Sequence, residues 1–237
     1  ADIAEKIETF IAQFDLKKDI YFVASSKRYY PKGDLACHVI GFTNSDGVGI
    51  YGLEAYYNNL LEGTSGRYIL AQDGKKNDMP FEYERFIEAE NGYNITTTLD
   101  MYIQYELENQ LEKTFNESGA GDRVCGMVYD VDTGEVLAMA TYPSFDLNDP
   151  YTIDEYSQAE LDASGLKEGT DEYKTEYSRL MYRMWNNKCL TETYEPGSTF
   201  KVVTSSMALE EGVVTPETPF YCAGSLMVEG WSKPISC

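Results

Sequence analysis

Hydrophobic positions change period several times along the chain, and each change marks an expected element. Ile7, Phe10, Ile11 and Phe14 recur at helical spacing, which predicts an amphipathic helix over 4–14. IYFVASSKRYYP (20–31) is rich in β-branched and aromatic residues and predicts a strand closed by Pro31. LACHVIGF (35–42) is a short apolar run ending at glycine. SDGVGIYGLEAYYNNLLEG (45–63) opens as a Gly-rich turn, then places Leu53, Tyr57, Leu60 and Leu61 on one helix face until Gly63 stops it. RYILAQDGKK (67–76) predicts a strand with a turn at Asp73-Gly74. There is no internal repeat and no low-complexity tract.

A boundary is expected near Asn91-Gly92, because the segment after it is strongly patterned. YNITTTL (93–99) predicts a strand. DMYIQYELENQLEKTF (100–115) predicts a helix with Ile103, Leu107, Leu111 and Phe115 on one face, and Asp100 placed to cap it. RVCGMVYDVDTGEVLAMATYP (123–143) predicts two strands joined by a DVDTG turn. Residues 151–190 are polar, acidic and Tyr-rich until Leu180, Met181, Met184 and Trp185, and predict loops and short helices on a surface. STFKVVTSSMALEEG (198–212) predicts an apolar, buried helix ending at Gly212. Strands and helices with hairpins and few βαβ units argue an α+β fold.

The chain has 237 residues, 43% hydrophobic and 25% charged, an ordinary globular mixture and enough for one large or two modest domains. With 19 basic and 40 acidic residues the net charge is −21. That charge repels phosphate backbones and anionic lipid head groups, which argues against a nucleic-acid partner. The five cysteines, Cys37, Cys125, Cys189, Cys222 and Cys237, form no CxxC, and His38 is the only histidine. A histidine triad or a zinc site would therefore depend on one imidazole. Cys37 and Cys125 lie in apolar runs and read as small core residues, whereas Cys222 and Cys237 are close enough in sequence to pair in an oxidising compartment. No run of 18 apolar residues is present. No signal peptide is visible, and the first residues read as a helix already inside a domain.

The candidate chemistry lies in YEPGSTFK (194–201). A Ser-x-x-Lys pattern alone is weak, and the chain holds a second one, Ser164 and Lys167, in a polar acidic stretch with no apolar helix behind it. Ser198 and Lys201 differ in context. Pro196-Gly197 forces a sharp entry, Ser198 then stands at a helix N-terminus, and Lys201 follows one turn later on the same face. The helix dipole favours negative charge developing near Ser198. An ordinary lysine is almost wholly protonated at neutral pH, and burial beside a positive helix end favours its neutral, basic form. The bland alternative makes Ser198 an N-cap and Lys201 a surface lysine.

The wider sequence resembles the class B penicillin-binding proteins. YEPGSTFK, preceded by WNNKCLTET, resembles their active-site serine motif. TTLDMYIQ (96–103), VYDVDTGEVLAMATYPSFDLNDP (128–150) and CAGSLMVEGWSKPISC (222–237) resemble flanking segments in the same order. RYYPKGDLACHVIGF (28–42) and GVGIYGLEAYYNNLLEGTSGR (47–67) resemble the N-terminal pedestal. The resemblance implies a pedestal (dimerisation-type) domain over 1–92 and the first part of a penicillin-recognising serine transpeptidase domain over 93–237. It implies a peptidoglycan D,D-transpeptidase with Ser198 as nucleophile and Lys201 as general base. Its substrate would be a stem peptide ending in D-Ala-D-Ala, β-lactams would acylate the same serine, and no metal or cofactor is implied. It further implies the extracytoplasmic face of a bacterial membrane, an N-terminal membrane anchor and a glycosyltransferase as candidate partner. The family's later Ser-x-Asn and Lys-Thr-Gly motifs are not found in these residues, so the chain is expected to be a fragment and a poor enzyme alone. Two alternatives share or lack the chemistry: a penicillin sensor or serine β-lactamase, and a non-catalytic division or sporulation scaffold.

Overall fold

The computed structural model describes residues 2–16, 20, 27–69, 85–120 and 122–236. In chain order these form α1 (Asp2–Gln13), α2 (Cys37–Ile40), α3 (Gly52–Tyr56), α4 (Asn58–Leu61), β1 (Arg67–Ile69), β2 (Arg85–Ile87) and α5 (Met101–Ser118). Then follow β3 (Val124–Tyr129), β4 (Val136–Tyr142), α6 (Glu155–Ala163), α7 (Asp171–Trp185) and α8 (Lys188–Thr191). A 3₁₀ turn (Gly197–Thr199) leads into α9 (Phe200–Glu210), and β5 (Ser225–Leu226) and β6 (Ile235–Ser236) close the described chain. The chain divides into two units, up to Glu192 and from Thr193. The α+β expectation holds: each of the three described sheets is an antiparallel pair, β1 with β2, β3 with β4 and β5 with β6.

The β3–β4 hairpin is where the alternating pattern predicts it, with Val124 opposite Tyr142 and Met127 opposite Met139. Asp130 closes its turn by accepting from the backbone N–H groups of Asp132 (2.8 Å) and Thr133 (3.1 Å). Helix α5 is also as expected. The Asp100 carboxylate accepts from Tyr102 N (2.8 Å) and Ile103 N (3.0 Å), and Gly119 ends the helix at φ 63°. Gln104 docks the helix on β4 through a two-way amide bond to Met139, Nε2 donating to its carbonyl at 3.0 Å and Oε1 accepting from its N–H at 2.9 Å. A Cβ on Gly126 would stand 3.0 Å from Leu107 Cδ1, so this glycine lets α5 lie close on β3.

Four sequence expectations are corrected. Residues 93–99 form no strand; they are held by single bonds, Tyr93 N to Leu60 O at 2.7 Å and Thr98 Oγ1 to Val136 O at 2.7 Å. Their β-propensity finds no continuous ladder. Residues 151–190 are not mainly surface loops. Thr170 caps the 15-residue α7, whose Leu180, Met184 and Trp185 are core. Cys125 is exposed rather than core, because it alternates with Gly126 and points away from α5. Ile20 and residues 27–31 are not strand, and the rest of the expected 20–31 strand lies outside the described residues. So does the turn at Asp73-Gly74.

The core of the first unit centres on Phe42, which is fully buried. Its ring meets Trp185 at 5.0 Å, Tyr151 at 5.8 Å, Tyr51 at 6.0 Å and Phe145 at 6.1 Å. Leu147, Ile153, Leu161, Leu180 and Met184 fill the same cluster. Two glycines permit the backbone crossing beside it. A Cβ on Gly41 (φ 71°) would lie 1.9 Å from Tyr51 O, and one on Gly52 (φ 61°) 2.6 Å from Gly41 N. Asn148 clamps the chain at Tyr30, accepting from its N–H at 3.0 Å and donating to its carbonyl at 2.9 Å.

His38 is part of this core. Its Nε2 donates to Met184 O at 3.0 Å, which leaves Nδ1 to accept from the Cys37 thiol at 3.3 Å. Burial lowers its pKa from the usual 6.5 to about 4, the Met184 bond opposing and the Arg123 charge adding to the shift. The folded-state value lies below the unfolded one. Between pH 6.5 and 4 the unfolded chain therefore binds a proton that the folded chain refuses, and stability falls as pH drops through that window. The expected loss by pH 4 is about 3 kcal/mol. Urea midpoints across this range should fall less in His38→Gln than in the parent; an identical pH profile would contradict the buried neutral imidazole.

Candidate active site

The Ser198 segment is built by a proline and a left-handed glycine. Pro196 sits at φ −72° and Gly197 at φ +56°, a conformation that side chains rarely adopt. The turn is closed by Thr199, whose N–H (3.3 Å) and hydroxyl (2.6 Å) both donate to Pro196 O. Ser198 is the middle residue of the resulting 3₁₀ turn, and Lys201 lies in the first turn of α9. Positions three apart eclipse in a 3₁₀ turn and share a face of an α-helix, so the two side chains start from one face.

Ser198 is not a helix cap. Thr199 occupies that position with helical dihedrals and no side-chain cap bond. Among the described residues neither Ser198 Oγ nor its backbone N–H has a hydrogen-bond partner, and Lys201 Nζ has no ion pair. The N–H groups of the 11-residue α9 start here, so developing negative charge on an atom bonded to Ser198 would meet a positive helix end.

The expected burial of this helix is not found. Phe200, Val202, Val203, Met207 and Leu209 are exposed, as are Ser198 and Lys201 themselves. The stripe is apolar because the sequence makes it so, but no described residue of its own unit buries it.

Sequence reading missed a polar network at the end of the first unit. Arg123, buried at the start of β3, donates through Nη1 to the carbonyls of Arg183 and of Asn186 (2.8 Å), which caps the end of α7. Its Nη2 pairs with Glu192. Lys188 bridges Glu192 (2.6 Å) and Asp122 (2.9 Å), and Asn187 caps α8 by accepting from Cys189 N at 3.1 Å. The Lys188/Glu192 spacing of four is a readable ion-pair signal, but nothing in the sequence marks Arg123. The second Ser-x-x-Lys has a different placement. Ser164 Oγ donates to Leu161 O at 2.6 Å at the end of α6, and Lys167 lies in the following loop. The Cys222–Cys237 pairing falls on Cys237, outside the described residues; Cys222 itself is disulfide-bonded.

Residues 2–97 match the Penicillin-binding Protein dimerisation domain, and residues 124–235 match the Penicillin binding protein transpeptidase domain. Stage V sporulation protein D of Bacillus subtilis is 31% identical over 221 residues, 93% of this chain and 30% of the relative. Peptidoglycan D,D-transpeptidase FtsI of Escherichia coli K12 is 31% identical over 203 residues, 82% of this chain and 28% of the relative. Among solved structures, penicillin binding protein 3 of Mycobacterium tuberculosis superimposes with a TM-score of 0.60 at 28% identity, covering 89% of this chain and 37% of that one. A peptidoglycan synthetase from Bifidobacterium adolescentis shares the fold at a TM-score of 0.66 and 24% identity, over 98% of this chain and 36% of that one. The chain thus spans about 30% of the length of the curated relatives it matches. Its elements are a partial penicillin-binding transpeptidase fold, and with dimerisation-domain and transpeptidase-domain sequences in this order the chain belongs to the class B penicillin-binding proteins.

Proposed function

We propose that this chain supplies the pedestal (1–92) and the nucleophile-bearing start of the catalytic domain (93–237) of a peptidoglycan D,D-transpeptidase. The observation that carries the reading is the Pro-Gly turn, which presents Ser198 one turn ahead of Lys201 with its hydroxyl and N–H unengaged, inside a transpeptidase-domain sequence.

In the proposed reaction Ser198 Oγ attacks the carbonyl carbon of the penultimate D-Ala of a stem peptide. Lys201 Nζ, as general base, takes the hydroxyl proton as the C–O bond forms. The carbonyl oxygen becomes an oxyanion, to which the Ser198 N–H donates. The intermediate collapses by breaking the C–N bond, the leaving amine of D-Ala receives the proton, and the acyl group stays on Ser198. An acceptor amine from a neighbouring stem peptide then attacks the ester and releases the serine. A β-lactam enters the same first step; its opened ring remains tethered and blocks the second. Covering the exposed apolar face of α9 belongs to the remaining length of such a protein. Anchoring at the extracytoplasmic face of the membrane and work beside a glycosyltransferase are part of the same proposal. Among the described residues no helix is long and apolar enough to cross a membrane.

The test is Lys201→Ala in the full-length protein. Loss of the base should slow benzylpenicillin acylation by about 10²- to 10⁴-fold. Lys201→Arg should not rescue it, because a guanidinium does not give up its proton. Acylation at the parent rate in either variant would sink the assignment of the base.

A further inference from the structure

Cys125 and Cys189 come from elements 64 positions apart and meet on one face of the hairpin. Cys125 pairs across the strands with Thr141, so both side chains leave the same side of the sheet. That side receives α8. Lys188 N donates to Thr141 Oγ1 at 3.1 Å, and the next residue, Cys189, places its Sγ 3.5 Å from Gly126 O and 3.6 Å from Ala140 O. The Cys125 thiol is near enough to help burial raise the pKa of Cys189. Both cysteines are free, Cys125 is exposed and Cys189 half-buried. The remaining described thiol, Cys37, is buried against His38 and has no such neighbour. Nothing in the proposed acyl transfer uses either member of the pair.

We propose that Cys125 and Cys189 are a dithiol modification site, which a small disulfide oxidant converts to an intrachain disulfide linking β3 to α8. The exposed Cys125 reacts first. Its thiolate attacks one sulfur of the oxidant RSSR, the S–S bond breaks, and one thiolate RS⁻ leaves. The Cys189 thiol then gives up its proton and attacks the Cys125 sulfur of the mixed disulfide. The second RS⁻ leaves, and the two thiolates take up the two protons. The chain loses two protons and two electrons, which RSSR takes up to become two RSH. The order follows from the site: burial and the neighbouring thiol push Cys189 up to about 12, so it is a weak first attacker and acts as the resolving group. The cross-link would fasten α8 to the hairpin.

The experiment incubates the reduced full-length protein with oxidised glutathione, quenches in acid, alkylates under denaturing conditions and maps the peptides. The expected product is a peptide joining Cys125 to Cys189, with neither residue alkylated. Cys189→Ser should instead retain glutathione on Cys125, and Cys125→Ser should leave Cys189 as an alkylatable thiol. Recovery of both residues alkylated in the parent protein, or of glutathione held stably on Cys125 there, would overturn the proposal. The parent map decides the matter even where a variant fails to fold.

Discussion

Replacing Ser198 with alanine is expected to abolish the penicilloyl adduct of the full-length protein and to slow release of D-Ala from a stem-peptide substrate by at least about 10⁴-fold. In barrier terms that is about 5 kcal/mol. The size follows from what the side chain does in the proposed reaction. The hydroxyl oxygen is the atom that becomes bonded to the substrate, so no neighbouring group replaces it when it is removed. The fold should be untouched. Ser198 is exposed, makes no side-chain hydrogen bond among the described residues and does not cap α9. The turn is held by Thr199, Pro196 and Gly197 instead. A stopped-assay comparison of parent and variant, with thermal melting as the folding control, reads both effects. A variant that melts as the parent does yet still acylates would remove Ser198 from the chemistry.

The second large effect is on stability. Phe42→Ala should cost about 3–5 kcal/mol, the range for deleting a buried aromatic ring. Phe42 has no exposed surface and touches rings from residues 51, 145, 151 and 185, which come from distant parts of the chain. The cavity it leaves cannot be closed by moving one neighbour. Val131→Ala, in the hairpin turn at 94% exposure, should change stability by no more than about 0.5 kcal/mol. Urea unfolding of the two variants beside the parent checks the contrast. Similar midpoints for both would mean that Phe42 is not at the centre of the core.

What the sequence disclosed follows from the range of each signal. Helix α5 and the β3–β4 hairpin were legible because their instructions are local: an Asp cap, one apolar face and a DVDTG turn. Helix α7 was obscured because its inward face begins with Tyr173 and Tyr177 in an acidic stretch, and only its end carries Leu180, Met184 and Trp185. Tyrosines that pack by their rings look polar in a periodicity count. The 93–99 segment carried strand propensity, but a strand needs a partner edge, which propensity does not contain. The Ser198 turn was legible for the same reason as the hairpin, since Pro-Gly dictates it locally. The burial of α9 was inferred from apolarity alone, and apolarity does not say what does the covering. Arg123 was invisible because its role is set by three carbonyl and carboxylate partners 60 to 69 positions away.

The most direct test of the central claim is the site of the covalent label. The full-length protein is incubated with benzylpenicillin, digested, and the modified peptide is sequenced by mass spectrometry. The account predicts a single penicilloyl group on Ser198, within YEPGSTFK. A label on any other serine, Ser164 included, or no label on a folded full-length protein, would contradict it.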